Sequence, residues 1–213
     1  MKKLKQFLIL LILFTLFIIV SAFSYVNGVS TNVSENLLRL HVIANSNSPE
    51  DQELKYLIRD QILLKIGELT SEFESLEETV YFIENNLSKI EVIAENAMHL
   101  LGHNYNINIS LGNFHFPTTS YANITLPPGF YNALRVEIEE AKGDNWWCVM
   151  FPPLCFTSVS SGVVPESSRD ILDENLYPHN SDIIFSDNTQ VRFKFRLVES
   201  IREYMAIIFY CKK

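Results

Sequence analysis

The sequence lacks the patterns that build common enzyme active sites and nucleic-acid-binding surfaces. It has no G-x-S-x-G elbow, no H-E-x-x-H helix, no phosphate-binding glycine loop and no C-x-x-C pair. Basic residues are also scarce, with 17 against 25 acidic ones, and their one cluster is the short run RFKFR (192–196). Binding to phosphate backbones needs a dense basic face. We therefore expect neither an enzyme nor a nucleic-acid-binding protein, and no cofactor.

Metal-binding residues are equally sparse. His99 and His103 are four residues apart, the spacing with which two histidines on one helical face can hold a metal ion. Gly102 lies between them and predicts that the helix ends before His103. We expect two solvated histidines and no metal site.

Cysteine is scarce too, and this limits the part that disulfides can play. The chain has three cysteines, Cys148, Cys155 and Cys211, and an odd number excludes a complete disulfide framework. Cys148 and Cys155 would form a disulfide if the Pro152-Pro153 turn brought them together. Otherwise they are free buried thiols, and the sequence leaves both possibilities open.

The N-terminus has the pattern of an export segment. Lys2, Lys3 and Lys5 precede the uncharged run FLILLILFTLFIIV (7–20). Residues 1–26 fit either a signal peptide cleaved after Ala22 or a retained membrane anchor. In both cases the lysines stay inside, and the chain from about residue 27 lies outside. This segment is the only predicted contact with a membrane, and without it 14 basic residues face 25 acidic ones, a net charge of −11.

The exported part begins with a strand and helices. Alternation in LRLHVIA (38–44) predicts a strand. Ser48-Pro49-Glu50-Asp51 then supplies a helix start, and the apolar spacing predicts a helix over 49–66 that ends at Gly67. A second helical stretch is expected over 75–101, with a kink or break near its middle and its end at Gly102.

From residue 105 the apolar period changes to two, which predicts strands, including one over 121–126. Helices followed by strands indicate an α+β domain, with a mainly antiparallel sheet packed by two or three helices. We place this domain at 37–156. Residues 157–190, rich in Ser, Asp and Asn, are predicted to be a flexible loop, and 191–213 a C-terminal amphipathic helix.

The run NWWCVMF (145–151) is apolar on both sides of a predicted strand. Trp146, Cys148 and Met150 point to one face, and Trp147, Val149 and Phe151 to the other. Helices on one side of a sheet would leave the second face in water. Either further chain covers that face, or another protein does.

Three further segments follow the export segment: LRLHVIANSNSPEDQELKYLIRD (38–60), LPPGFYNALRV (126–136) and KGDNWWCVMFPPLCF (142–156). In this order they resemble the stage II sporulation protein R family of endospore-forming Firmicutes. The resemblance implies a protein that is made in the forespore and exported into the space between forespore and mother cell. It also implies a partner, a membrane-embedded aspartic protease of the mother cell, which the protein activates to cleave the precursor of sigma factor E.

We expect the contact with that partner to involve aromatic residues of the 145–151 strand, because large buried aromatic side chains anchor interfaces. The predicted contact residues are Asn145, Trp146, Trp147 and Phe151, with His41 and Asn45 as a second patch. The sequence leaves two alternatives open. One is an exported hydrolase with Cys148 as nucleophile, and the other is a structural spore-envelope protein.

Overall fold

The structure is a computed structural model that describes residues 2–70, 73–121, 124–154, 166–176 and 184–185. The predicted C-terminal helix over 191–213 lies outside these residues. The first element, α1 (Lys2–Glu35), is a single helix of 34 residues. Its residues 2–25 are exposed, and it is long and apolar enough to cross a membrane. The predicted export segment is therefore helical, and the helix continues beyond residue 26.

A mixed sheet of four strands forms the centre of the domain. Its strands are β1 (Leu38–Ile43), β2 (Ile107–Phe116), β5 (Gly129–Ile138) and β6 (Asn145–Phe151), in the order β2-β5-β1-β6. Both outer pairings are antiparallel, whereas β1 and β5 run parallel. This agrees with the predicted α+β class and mainly antiparallel sheet. The parallel pair is possible because the long chain between β1 and β5 provides the crossover that such a pair needs.

Three helices cover the first face of the sheet: α2 (Pro49–Thr70), α3 (Leu76–Asn85) and α4 (Leu87–Leu100). The core between them and the sheet is apolar, and its fully buried members include Leu40, Leu54, Ile58, Ile62, Ile83, Leu134 and Val136. The amphipathic spacing of the sequence therefore predicted most of the apolar residues on the inward sides of these helices.

The helix ends follow local chemistry, with one exception. Ser48 and Ser75 each accept a hydrogen bond from a backbone N–H of the first turn, as N-cap residues do. The expected break falls at Asn86, and Gly102 ends the last turn of α4 with φ +74°. The predicted end of α2 at Gly67 is wrong, because the helix continues to Thr70. An interior glycine costs a helix only about 1 kcal/mol, which the burial of Ile66 and Leu63 beside it offsets.

The second face of the sheet is covered by other parts of the same chain. These are the C-terminal end of α1, the short hairpin of β3 (Thr119–Tyr121) and β4 (Ile124–Leu126), and α5 (Glu166–Asn175). The predicted strand over 121–126 is thus divided between two paired strands. The second core consists of Val33, Leu37, Phe116, Ile124, Leu126, Tyr131, Ala133, Val149, Leu172, Leu176, Ile184 and Phe185. Further chain therefore accounts for much of the apolar surface that the 145–151 strand turns away from the helices.

Helix α5 corrects the prediction of an irregular loop over 157–190. Residues 166–175 are helical, and the helix buries Leu172 at 1% exposure. The prediction was wrong because α5 is too short and too polar to produce a sustained apolar period. Two apolar side chains, Leu172 and the following Leu176, are enough to attach it to the second core.

Candidate partner-binding site

The two tryptophans lie at the beginning of β6, an edge strand of the sheet in the part of the chain that is described. Asn145 is exposed, and Trp146 and Trp147 are partly buried. We call these three residues the aromatic corner. Trp146 packs against the first core and Trp147 against the second, as the alternation of the sequence predicted.

Trp146 belongs to a cluster with two residues of α2. The ring of Tyr56 meets it edge to face at 5.6 Å between centroids, and the Arg59 guanidinium lies 4.3 Å from its centroid. Tyr56 is 40% exposed. The first side of the aromatic corner therefore presents an accessible ring and a cation beside Trp146, a combination common at protein interfaces.

Trp147 lies on the second face beside His41, with their ring centroids 5.9 Å apart. The strand registers place Arg135 and Trp147 on either side of His41. The Arg135 guanidinium forms an ion pair of 2.7 Å with Glu137, and both side chains are about a quarter exposed, at 27% and 26%. On its second side, the aromatic corner is thus bordered by polar, partly exposed side chains at the edge of the second core.

His41 and Asn145, both predicted contact residues, are joined by a hydrogen bond of 2.7 Å between His41 Nε2 and Asn145 Oδ1. His41 is 9% exposed. Burial lowers the pKa of His41, Asn145 opposes that shift, and the positive charge of Arg135 adds to it. The imidazole is therefore neutral near pH 7, and its tautomer is fixed by donation to Asn145.

We expect His41 to make the protein less stable in mild acid. A histidine whose pKa is lower when folded binds its proton more readily in the unfolded chain. The free energy of unfolding should therefore fall as pH drops below about 6.5, by at most about 1.4 kcal/mol per pH unit for one proton. Urea unfolding at pH 7.5 and 5.5 measures this slope. His41→Gln should reduce this slope, and a slope equal to that of the native protein would contradict the assignment.

Two of the predicted contact residues, Phe151 and Asn45, have roles within the fold of the domain. Phe151 is 4% exposed and lies in the first core, not on the second face that the alternation predicted, because the register of β1 with β6 shifts between Leu38 and Arg39. Asn45 uses its side chain within the domain, donating to Asp51 Oδ2 at 3.0 Å and accepting from the backbone N–H of Glu140 at 3.3 Å. Both side chains therefore contribute to the structure of the domain, and their contact with a partner stays a prediction.

The loop after β1 is tied to the loop before β6. Gly143 donates its backbone N–H to Ala44 O at 2.8 Å, and Asp144 donates to Asn47 Oδ1 at 2.6 Å. Lys55, only 1% exposed, donates from α2 to Asp144 O at 3.1 Å. These bonds connect the two quoted segments 38–60 and 142–156, and they fix the position of the aromatic corner.

Asp51 organises the other half of this network. Its carboxylate accepts hydrogen bonds from Ser46 at 2.5 Å and Asn45 at 3.0 Å. Burial alone would raise the pKa of Asp51, but hydrogen bonds from Ser46, Tyr105 and Asn45 outweigh it, and the pKa lies below its ordinary value. The ionised carboxylate therefore helps to hold the loop folded at neutral pH.

Arg39 is a feature of the second face that the sequence analysis missed. It is fully buried, and its guanidinium lies 4.0 Å from the ring centroid of Phe116 and 5.0 Å from that of Tyr131. Its Nη2 donates to the Tyr121 hydroxyl at 2.6 Å, and that hydroxyl donates to Trp147 O at 2.9 Å. The sequence feature that could have indicated its burial is its position two residues before His41, on the same side of a buried strand.

Cys148 is disulfide-bonded and 5% exposed. Cys155 and Cys211 both lie outside the described residues, so the pairing of Cys148 with Cys155 stays a prediction. A sulfur in a disulfide is not a thiolate, and the disulfide therefore removes the nucleophile that the hydrolase hypothesis requires.

The predicted Cys148–Cys155 disulfide can be tested by alkylation. We expect the unreduced, denatured protein to take up one alkyl group, because three cysteines with one disulfide leave one thiol. Peptide mapping should find that group on Cys211. Cys155→Ser should then expose Cys148 to alkylation, whereas Cys211→Ser should leave it protected, and the reverse pattern would show that Cys211 is the partner.

Groups of three or more His, Cys, Asp or Glu side chains able to hold a metal are absent from the described residues. His99 Nδ1 lies 3.3 Å from the backbone carbonyl oxygen of His103, and His103 follows the end of α4, as Gly102 predicted.

The sequence is similar to those of one known protein family. The profile of one family, stage II sporulation protein R, matches residues 34–161. The stage II sporulation protein R of Bacillus subtilis (strain 168) is 36% identical over 138 residues, which is 65% of this chain and 62% of the relative. The chain thus aligns with less than two thirds of that relative's length. No solved structure matches it.

Proposed function

Because this chain belongs to the stage II sporulation protein R family, we propose that it is an exported sporulation signal that activates a membrane-embedded aspartic protease. That protease then cleaves the precursor of the mother-cell sigma factor E. The protein is made in the forespore and acts in the space between the forespore and mother-cell membranes. The activity requires binding alone, with no chemistry performed by this chain.

The aromatic corner is the observation that supports a binding role most strongly. It combines an exposed amide at Asn145 with two tryptophans on opposite sides of one edge strand. Tyr56 enlarges the accessible aromatic surface on one side. Tryptophan, tyrosine and arginine are the residues most often found at the energetic centre of interfaces.

The aromatic corner is large enough to supply the binding free energy that such a signal needs. A ligand that moves a switch from about 1% to 99% active must bind the active state more tightly by about 5.5 kcal/mol. Two or three interface residues worth about 2 kcal/mol each would supply that difference. These residues must therefore bind the active or assembled state of the protease more tightly than its resting state.

The test is to express Trp146→Ala in the forespore and to follow cleavage of the sigma factor precursor. We expect cleavage to fall about 10-fold or more, with the amount of exported protein unchanged. Tyr81→Ala is the matched control, because Tyr81 is an exposed aromatic of α3 at 70% exposure and outside the aromatic corner. Normal cleavage with both variants would refute the contact site.

Two further tests would separate this function from the alternatives. An exported hydrolase would turn over a substrate as a purified protein, whereas a signalling protein would not. A structural envelope protein would be needed in stoichiometric amounts, whereas a signal acts in trace amounts. Titrating expression downward should therefore leave precursor cleavage intact over a wide range.

A further inference from the structure

Helix α1 is longer than a membrane span requires. A helix rises about 1.5 Å per residue, so about 20 residues cross the hydrocarbon core. Residues 2–25 are exposed, and Ser30, Asn32, Val33 and Ser34 of the same helix are buried in the domain. The membrane-spanning part and the domain are thus joined by continuous helix, with no linker between them.

The junction is closely packed. Ser30 is 3% exposed and donates to Pro128 O at 3.0 Å, and Val33 is fully buried in the second core. A Cβ on Gly129 would lie 3.3 Å from Ser30 Oγ, so the glycine allows the helix to approach the chain at the start of β5. The helix therefore cannot swing freely relative to the sheet.

Two contacts give the direction in which the sheet extends. Ser30 meets Pro128, just before β5, and eight residues later Leu38 pairs with Asn132 inside it. From Ser30 to Leu38, five helical steps and three extended ones, the chain can advance by at most roughly 17 Å, and from Pro128 to Asn132 it advances by roughly 13 Å. Strand β5 therefore runs in the same sense as α1, away from the membrane.

We infer that α1 is retained as an anchor, and that it holds the domain upright on the outer surface of the membrane that it spans. Phe23 and Ser30 are seven residues apart, which puts the turn at Pro128–Phe130 about 10 Å beyond the apolar part of the helix, in the headgroup layer. From Gly129 to Glu137, β5 rises about 26 Å further. The aromatic corner lies at that far end, because Asn145 and Glu137 both occupy the register position of Ile43.

The residues near the junction suit a lipid headgroup surface. Phe130 is 40% exposed at the start of β5, and Tyr25 is 63% exposed on α1. Aromatic side chains are enriched at this level of a bilayer. The net charge of −11 on the exported part opposes contact of the rest of the domain with anionic lipid. This arrangement holds whichever partner the aromatic corner meets.

The experiment uses the full chain reconstituted in phosphatidylcholine–phosphatidylglycerol vesicles that contain a headgroup-spin-labelled phosphatidylcholine as a quencher. Phe130→Trp adds a fluorophore at the turn, and native Trp146 and Trp147 report on the far end. We expect the added emission to fall about two-fold or more, and the native emission to change little, because such quenching acts only near the headgroups. Tyr25→Trp should be quenched at least as strongly, and it replaces Phe130→Trp if that variant does not fold.

Each other result overturns the inference. Quenching of the native tryptophans to the same extent would mean that the sheet lies along the membrane. An unquenched fluorophore at both added positions would mean that the turn lies away from it. The intact mass of the protein isolated from producing cells tests retention, and a mass that begins at Phe23 would show that the helix is not an anchor.

Discussion

Replacing Gly143 by alanine should destabilise the domain by about 3 kcal/mol or more, although the change adds a single methyl group. A Cβ at this position would lie 2.6 Å from the carbonyl carbon of Ser46 and 2.9 Å from the Cβ of Ala44, with the Ser46 carbonyl oxygen closer still. The obstruction is mostly backbone, which cannot rotate away as a side chain does. The loop before β6 must therefore shift, and the bond from Gly143 N to Ala44 O is lost with it.

The same shift would displace the aromatic corner, because Asn145 follows two residues later. We therefore expect Gly143→Ala to reduce precursor cleavage as well as stability. Chemical unfolding of the full chain in mild detergent measures the first effect. Gly28→Ala is the matched control, since nothing lies within 4 Å of a Cβ there and the helix favours alanine. Equal unfolding free energies for the two variants would contradict the packing described here.

Replacing Arg39 by alanine should cost about 3 to 4 kcal/mol of stability. The change removes the guanidinium from beside Phe116 and Tyr131, leaves a cavity in the second core, and takes away one of the two partners of the Tyr121 hydroxyl. Arg39→Met should cost much less, within about 1.5 kcal/mol of the native protein, because methionine fills similar volume and needs no hydrogen bonds.

This pair of variants separates volume from charge at Arg39. Burial lowers the pKa of Arg39, with Tyr121 and Tyr131 opposing the shift, but a guanidinium remains protonated at any physiological pH. Its Nε and Nη1 find no hydrogen-bond partner among the described residues. If Arg39→Met were as unstable as Arg39→Ala, the cation–π contacts and the bond to Tyr121 would outweigh the cost of burying the charge.

Local sequence patterns predicted those helices and strands whose structure depends mainly on their own residues. The period of the apolar residues and the caps at Ser48 and Ser75 defined the helices on the first face. The parallel pairing of β1 with β5 could not be predicted in this way, because strand order depends on contacts between distant parts of the chain. The sequence left open whether further chain covers the second face, because β3 and β4 have three residues each and α5 attaches through two leucines.

The aromatic corner shows the same division. Alternation along β6 correctly placed Trp146 and Trp147 on opposite faces. The hydrogen bond between His41 and Asn145 could not be foreseen, because these residues are 104 positions apart and meet only through the register of β1 with β6. Asn45 and Phe151 carried no local sign that they serve the loop network and the first core.

The central position of β1 also determines when this domain can fold during synthesis. Leu38 pairs with Asn132 and Ile43 with Asn145, so both sides of β1 wait for chain that the ribosome makes roughly a hundred residues later. If α1 directs export as proposed, this apolar helix would be available to the secretion machinery long before then. The chain would reach the translocation channel before its sheet had formed.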